Sequence, residues 1–600
     1  MSKRDVDRER EQRRLERDRR RRERGLPTYF DRQPVFDGWP LLTDPAEQAT
    51  MIFRPVPAPE DLEAEVATAE TVILRRPIEE PARARRLAWS TAVVGIATGV
   101  SRVAGLIRES VVRYFFGTVG PINAFEVAFL IPNTVRALVA DAALSSAFVP
   151  VFVDLRERGE NARAWRVASS LFWLVLLGLT GVTALFIVLA PWIMPLFGYH
   201  GADAAIAVTS ARILFPIVVV LALSGIVVGI LNSYEQFTVP ALTPVVWNLA
   251  IIAGLAIGVP QTTGSTQYYV YALSVLVATV IQFLLPLPWL TGLDGRLRAV
   301  IDWRDPAVRR TLKLMVPITI GLGLINFNAV VDTFFAARLI DPNHAVSAIW
   351  AAFRLYMLPQ GMFSVAVATV LFPTLSALAS RRDYDGLRRT VDVGLRQIAF
   401  LLVPASVVSA VLAEPIVRIV YQRGDFAPSQ TAAVASSLAA FSLGLTFNGT
   451  MLLLNRAFFS LQQAAIPTWV ALGNLGLNAI LDAAFYRLGI WGIPLSTALV
   501  NIAGTVALFV LLQRRIGAFG RAETLGTTVR IVLASGVVAV VCYAVWRPLD
   551  DLLGHSFAAQ LVTLLAALLA GGAAYLISAR LLGVREVDTL LQLRTRARRG

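Results

Sequence analysis

The sequence predicts an all-α polytopic membrane protein with about fourteen transmembrane helices. Of its 600 residues, 56% are hydrophobic and 16% are charged, a balance that does not fit soluble chains. From Leu87 onward, apolar runs of about 20 residues recur, each long enough for a bilayer core of roughly 30 Å at 1.5 Å rise per residue. The single cysteine, Cys542, forms no internal disulfide, and the three histidines fall in short polar gaps. Neither a disulfide framework nor a His-based metal site is indicated.

The helices follow one another with short polar connections. We expect a charged cytoplasmic arm over 1–86, a lobe of helices 1 to 6 over 87–300, a second such lobe over 301–520, helices 13 and 14 over 521–583, and a basic tail over 584–600. The arm carries twelve Lys/Arg and seven Asp/Glu in its first 25 residues with no apolar run after them, so it is not a secretory signal. The predicted spans are 88–114, 121–142, 167–192, 207–232, 240–260, 268–291, 312–338, 346–371, 394–415, 434–459, 466–486, 490–512, 525–546 and 557–580.

Two pairs of similar positions are separated by the same number of residues. The segment 233–240 after helix 4 is similar to 460–467 after helix 10, and Pro132 of helix 2 corresponds to Pro359 of helix 8, each pair 227 residues apart. The spacing predicts two parallel six-helix lobes around a central cavity, related by an axis along the membrane normal.

The arginines of the connections indicate the orientation. One alternate set of loops holds seventeen Lys/Arg and the other holds three, Arg423, Arg487 and Arg547. Because positive charge concentrates on the cytoplasmic side, the rich set and both basic termini are predicted to be cytoplasmic.

Helix 1 holds more charge than a lipid-facing helix tolerates. Arg102, Arg108, Glu109 and Arg113 fall within one apolar span, where charges must face protein or a water-filled cavity. We expect Arg102 and Arg108 to contact substrate, with an Arg102–Glu109 ion pair as the alternative for Arg102. Arg113 is expected to extend to the membrane interface.

Helices 2 and 8 add further polar groups. Glu126, Asn133 and Arg136 share one face of helix 2 beside Pro132, which frees backbone carbonyls that must point into protein or water. Arg354 of helix 8 has no carboxylate within two turns of its own helix. These residues predict the wall of an anion-binding cavity.

A separate acidic set lies on helices 7 and 11. Asn328 and Asp332 are four residues apart, as are Asn474, Asn478 and Asp482, so each group stacks along one helix face. Carboxylate and amide oxygens suit a hard cation such as Na⁺. Proton carriage and a helix-to-helix hydrogen-bond network are the alternatives.

Three further motifs stand out in the first half of the chain: Ser101-Arg-Val-Ala-Gly-Leu-Ile-Arg108, the run from Asn123 to Arg136, and Ala147-Phe-Val-Pro150. Together they resemble the MurJ (MviN) family of lipid II flippases, which belongs to the multidrug/oligosaccharidyl-lipid/polysaccharide exporter superfamily. The resemblance covers roughly 87–585 and implies fourteen helices, a cationic cavity and alternating access. By motif, the family's essential arginines fall on Arg102, Arg108, Arg136 and Arg354, and its sodium site falls on Asp332, Asn478 and Asp482, with Thr497 reached after a one-residue shift.

Two departures concern carboxylates. Many relatives carry an acid where this chain has Asn123, and often another where it has Phe353. Glu109 and Glu126 are the available substitutes, and with Asn133 they complete the predicted substrate-binding set.

The expected function is to flip lipid II, an undecaprenyl diphosphate-linked disaccharide peptide, across the bacterial cytoplasmic membrane for cell-wall synthesis. Two alternatives stay open, an exporter of another undecaprenyl-linked saccharide and a non-transporting scaffold for cell-wall enzymes. A drug exporter is disfavoured because its cavity would need carboxylates and aromatic residues. Membrane lipids and, through the arm, cell-wall proteins are the expected partners. We expect no nucleic-acid partner, no catalysis, no catalytic residue and no cofactor beyond a coupling Na⁺.

The loop asymmetry generates a topology prediction. Reporter fusions should place both termini and the connections near Arg304 and Arg382 in the cytoplasm, and those near His344 and His555 outside. A cytoplasmic signal from the His344 connection would contradict the fourteen-helix topology.

Overall fold

The computed structural model describes residues 80–137, 143–517 and 521–587, and within them the chain is helical with no strand. Most of the predicted arm and of the basic tail lies outside these residues. The helices up to residue 335 are α1 Glu80–Phe116, α2 Ile122–Arg136, α3 Ala143–Glu157, α4 Asn161–Ile193, α5 Gly201–Leu214, α6 Pro216–Ser233, α7 Thr238–Gly258, α8 Ser265–Leu284 and α9 Pro306–Phe335. Those from residue 345 onward are α10 Ala345–Pro359, α11 Val365–Ser380, α12 Tyr384–Val411, α13 Ala413–Tyr421, α14 Pro428–Leu443, α15 Leu445–Ser460, α16 Ala465–Phe485, α17 Gly492–Ile516, α18 Arg521–Leu553 and α19 Phe557–Leu581.

The all-α fold is confirmed. Nine continuous helical stretches of the described residues are long and apolar enough to cross a membrane, and a tenth forms if α14 and α15, which meet at a bend of 44°, count as one span. The count of fourteen stays a prediction. It includes helices such as α1, whose charges set it apart from an ordinary lipid-facing span.

The turns at the two repeated segments have the same backbone conformation. Glu235 (φ 59°) and Gln462 (φ 56°) are both left-handed and lie 227 residues apart. In each turn the following residue donates its backbone N–H to the carbonyl five positions earlier, Gln236 to Leu231 and Gln463 to Phe458, both at 3.0 Å. This is the geometry of a helix C-terminal cap. The sequence echo therefore marks the same helix ending in both halves, whereas the lobe boundaries stay a prediction.

The largest hydrophobic core joins the two halves of the chain. It combines buried residues from 124–215 with buried residues from 336–516. Two smaller cores belong to the first half and to the start of α9, and a fourth packs α18 and α19 against α12. Helix α9 contributes Val308 and Met315 to a first-half core, and Ala336, directly after it, to the joint core.

The segment that enters α9 is held to α4 by polar contacts. The hydroxyls of Ser169 and Ser170 accept hydrogen bonds from the backbone N–H groups of Arg298 and Asp302, both at 3.0 Å. Asp305 caps α9 by accepting from Ala307 N at 2.7 Å and pairs with Arg163 at 3.3 Å. Burial opposes ionisation of Asp305, but these hydrogen bonds outweigh it and lower its pKa.

Helices α18 and α19 are fixed to α13 by a buried ion pair. The guanidinium of Arg418 donates from Nη1 to both carboxylate oxygens of Asp550 at 2.9 Å. Gln560 of α19 donates from Nε2 to Asp550 Oδ1 at 2.6 Å. The Asp550 side chain is 3% exposed, so its charge depends on these partners.

Replacing Arg418 with Ala should destabilise the docking of α18 and α19 by about 3–5 kcal/mol, because it leaves a buried carboxylate without its counter-charge. Thermal unfolding of the purified protein measures the loss. Arg547→Ala is the matched control. Its pair with Asp551 is 3.9 Å long and exposed, so it should change stability by less than about 1 kcal/mol. Equal losses in the two variants would contradict this account.

Candidate functional site

Helix α1 exposes several large apolar side chains and buries three of its charged ones. Val100, Val103 and Ile107 are about half exposed, at 48%, 59% and 50%. Arg108, Glu109 and Arg113 are buried. This inversion of the soluble pattern is what an apolar solvent requires of a helix that carries charges.

The inward charges form one side of a central cavity. Its volume is about 30 Å³, which leaves room for only a few water molecules in this conformation. The aromatic rings of α7, α8 and α10 complete its wall. The lining residues are Arg108, Glu109, Phe125, Glu126, Phe129, Trp247, Ile251, Tyr271, Val275, Trp350 and Arg354.

Two guanidinium groups flank one carboxylate in this cavity. Arg108 Nη2 and Arg354 Nε each lie 3.8 Å from Glu109 Oε2, beyond hydrogen-bond length. Arg108 stacks over Trp247 at 4.9 Å from the ring centre, and Arg354 over Trp350 at 5.6 Å. Arg108 Nε is buried without a hydrogen-bond partner among the described residues. The pair has donor capacity for an anion.

The expectation that Arg113 extends to the membrane interface is wrong. Its side chain is completely buried and pairs with Glu109 and Glu126, each at 2.6 Å. The expected alternative of an Arg102–Glu109 pair is wrong as well, because the cations that pair with Glu109 in the described part of the chain are Arg108, Arg113 and Arg354. The i,i+4 spacing of Glu109 and Arg113 was the sequence signal for the pair.

Other predicted site residues lie apart from the cavity wall. Arg102 packs its guanidinium against Gly361, and a side chain at position 361 would have to displace it. Arg136 donates from Nε to Asn133 Oδ1 at 3.1 Å, one turn away on α2. Their role in binding substrate stays a prediction.

Asn123 and Phe353, the two positions where many relatives were expected to carry a carboxylate, have different surroundings. Phe353 packs against Tyr356 and Phe441, with ring centres 5.8 and 5.6 Å away, so this position faces an aromatic cluster. Asn123 is fully buried and bonds to the opposite half of the chain. Glu109 and Glu126 are the carboxylates that the cavity holds.

One end of the bundle is closed by hydrogen bonds between the halves. We call it the His344 end; it carries the connections 117–121, 341–344 and 422–427. Asn123 Nδ2 donates to Asn343 O at 2.6 Å, and Asn123 Oδ1 accepts from Ser347 N at 2.8 Å. The backbone of Asp425 donates to Tyr114 O at 2.8 Å. A carboxylate at position 123 could not supply the donor of this lock.

The predicted acidic set comes together from three helices. Asn478 of α16 donates from Nδ2 to Asp332 of α9 and, at 2.9 Å, to Asp482 Oδ2. Thr497 of α17 interacts with the Asp332 carboxylate. Asn478 Oδ1 and Asp482 Oδ1 are buried without hydrogen-bond partners among the described residues. These free acceptor oxygens fit a small cation or a shared proton. Asn474 instead contacts Met451 Sδ, at 3.8 Å.

Sequence reasoning missed the aromatic wall. Trp247, Tyr271 and Trp350 line the cavity, yet each sits in an apolar span without a polar pattern around it. Aromatic residues in such spans are ordinary, so no signal in the sequence distinguished them.

The chain matches the family model described as lipid II flippase MurJ over residues 112–573. It is 32% identical to a lipid II flippase MurJ of Burkholderia cenocepacia over an alignment 435 residues long, which covers 70% of this chain and 82% of the relative. The fold matches a solved lipid II flippase MurJ in an inward closed conformation, with a TM-score of 0.69, 25% identity, and coverage of 82% of this chain and 98% of the other.

A solved multidrug resistance MATE family transporter of the MOP superfamily, in an inward-facing conformation, shares the fold. The TM-score is 0.57 at 17% identity, with coverage of 69% of this chain and 94% of that one.

Proposed function

Because this chain belongs to the lipid II flippase MurJ family, we propose that it carries lipid II from the inner to the outer leaflet of the bacterial cytoplasmic membrane for cell-wall synthesis. The observation that supports the proposal best is the pair Arg108 and Arg354, which line one cavity with donors that Glu109 does not use. Planar guanidinium groups bind phosphate oxygens through paired hydrogen bonds. A diphosphate is therefore the group that this cavity suits.

The cavity carries net positive charge. Three arginines, Arg108, Arg113 and Arg354, face two carboxylates, Glu109 and Glu126. A diphosphate brings about two negative charges, whose outward movement from an inside-negative cell is favoured by about 2.3 kcal/mol per charge per 100 mV. The membrane potential then drives export.

We propose that the His344 end faces the outside and that both termini are cytoplasmic, as the loop charges indicate. Alternating access then requires the hydrogen bonds of Asn123 to break when the outer side opens. The cavity must also widen from about 30 Å³ to admit a head group.

We further propose that Asp332, Asn478, Asp482 and Thr497 bind the coupling cation, with Na⁺ as the candidate. Two buried oxygens without hydrogen-bond partners, on Asn478 and Asp482, support it. A bound cation would neutralise carboxylates on α9 and α16 together, and so tie these helices. The arm over 1–86 is proposed to contact membrane lipid and cell-wall proteins.

Arg108→Ala and Arg354→Ala should each abolish or nearly abolish transport, and the Lys variants should lose part of it. One charge-assisted hydrogen bond contributes about 1.5–3 kcal/mol, which is roughly tenfold or more in binding, and Lys lacks the planar fork. The measurement is rescue of a depleted host, with analysis of the lipid-linked intermediate that accumulates.

Arg158→Ala, at an exposed position, is the control, and membrane levels are compared throughout. Full rescue by both cavity Ala variants at normal levels would favour the scaffold alternative. Accumulation of a different undecaprenyl-linked saccharide would identify the other exporter.

Asp332→Asn and Asp482→Asn should weaken Na⁺-dependent transport severalfold, because each removes one negative charge that a cation needs. Transport into vesicles is measured across Na⁺ concentrations and pH, with exposed Asp551→Asn as control. If both variants keep the native Na⁺ dependence, the site is a structural hydrogen-bond network. A changed pH dependence at constant Na⁺ response would assign it to protons.

A further inference from the structure

We infer that Arg113 is a positioning residue with two roles. It keeps the net charge of the cavity positive, and it stabilises the closed arrangement of the His344 end. Its guanidinium has five N–H donors, and all five are used. Nε and Nη2 donate to Glu109 Oε1 at 3.1 and 2.6 Å. Nη2 also donates to Glu126 Oε1 at 2.6 Å. Nη1 donates to Gly117 O at 3.2 Å and to the hydroxyl of Ser347.

The first three bonds hold the carboxylates of the cavity in place, and the fourth goes to the backbone carbonyl of Gly117. Glu109 Oε1 is occupied by Arg113, so only Glu109 Oε2 faces Arg108 and Arg354, at 3.8 Å. Without Arg113, Glu109 and Glu126 would cancel the charges of Arg108 and Arg354. Arg113 thereby keeps a net positive charge available without touching the cavity surface itself.

The fifth bond, from Arg113 Nη1 to the Ser347 hydroxyl, crosses between the halves of the chain, and we call it the latch. Ser347 lies in the first turn of α10 and is completely buried. Its backbone N–H donates to Asn123 Oδ1 at 2.8 Å, so the same residue accepts a hydrogen bond from Arg113 and donates one to Asn123. Opening of the His344 end would leave one N–H of a buried guanidinium without an acceptor, which is unfavourable until water or substrate enters. Arg113 thus biases this end toward closure.

The inference rests on the proposed transport function for its purpose, but the bias toward closure is measurable without substrate. Spin labels at Val119→Cys and Ser429→Cys, in a Cys542→Ala background, report the separation of the two halves at the His344 end. Both positions are exposed. The full chain is measured in lipid nanodiscs by pulsed electron resonance.

Ser347→Ala removes only the latch and keeps every charge, so it should raise the widened population about fivefold to tenfold. Ser437→Ala, at another completely buried serine that bonds only within its own helix, should leave the distances unchanged. Equal distance distributions in these two variants would overturn the inference.

The double variant Arg113→Gln/Glu126→Gln separates the two roles. It restores the net charge of the cavity while the latch stays weakened, so it should recover transport relative to Arg113→Gln alone and still show the raised widened population. Native distances in the double variant would overturn the latch. If the native protein proves not to transport lipid II, but Ser347→Ala still raises the widened population, the proposed substrate is refuted and the latch is not.

Discussion

The constraint on which the structure depends is the free energy of charge inside an apolar bundle. An uncompensated charge in hydrocarbon costs several kcal/mol, and this chain brings five charged side chains together in one cluster, three of them buried. The solution is a shared network in which two carboxylates hold one arginine completely and leave two others partly free. The completely held residue, Arg113, is the most buried of the cations.

The cluster explains why the site and the closed end belong together. Helix α1 supplies Arg108, Glu109 and Arg113 within two turns. Arg108, which lines the cavity, and Arg113, which bonds to Ser347, therefore lie on the same helix. A change in the charge of the cavity therefore affects the hydrogen bond that Arg113 makes at the interface between the halves. The close approach of these side chains also leaves the cavity small in this conformation.

The proposed cation site lies elsewhere in the bundle, and its position suits the proposed coupling role. Asp332 stands near the end of α9, whose first turns pack in a core of the first half of the chain, while its partners Asn478 and Asp482 belong to α16 of the second half. Helix α9 thus touches both halves, and a ligand that binds its end to α16 acts on their relative position. The Na⁺ and pH measurements distinguish whether that ligand is a cation or a proton.

The sequence by itself determined which helices carry polar faces and that Arg108 and Arg354 point inward, because the cost of charge in lipid leaves no other direction. It also located the repeated turns at Glu235 and Gln462 and the residues of the acidic set. Helical periodicity orders residues along one helix, but it does not specify which helices become neighbours. Only the tertiary structure therefore decided that Arg113 is enclosed by Glu109, Glu126 and Ser347, that Phe353 faces an aromatic cluster, and that Asn123 locks the two halves together.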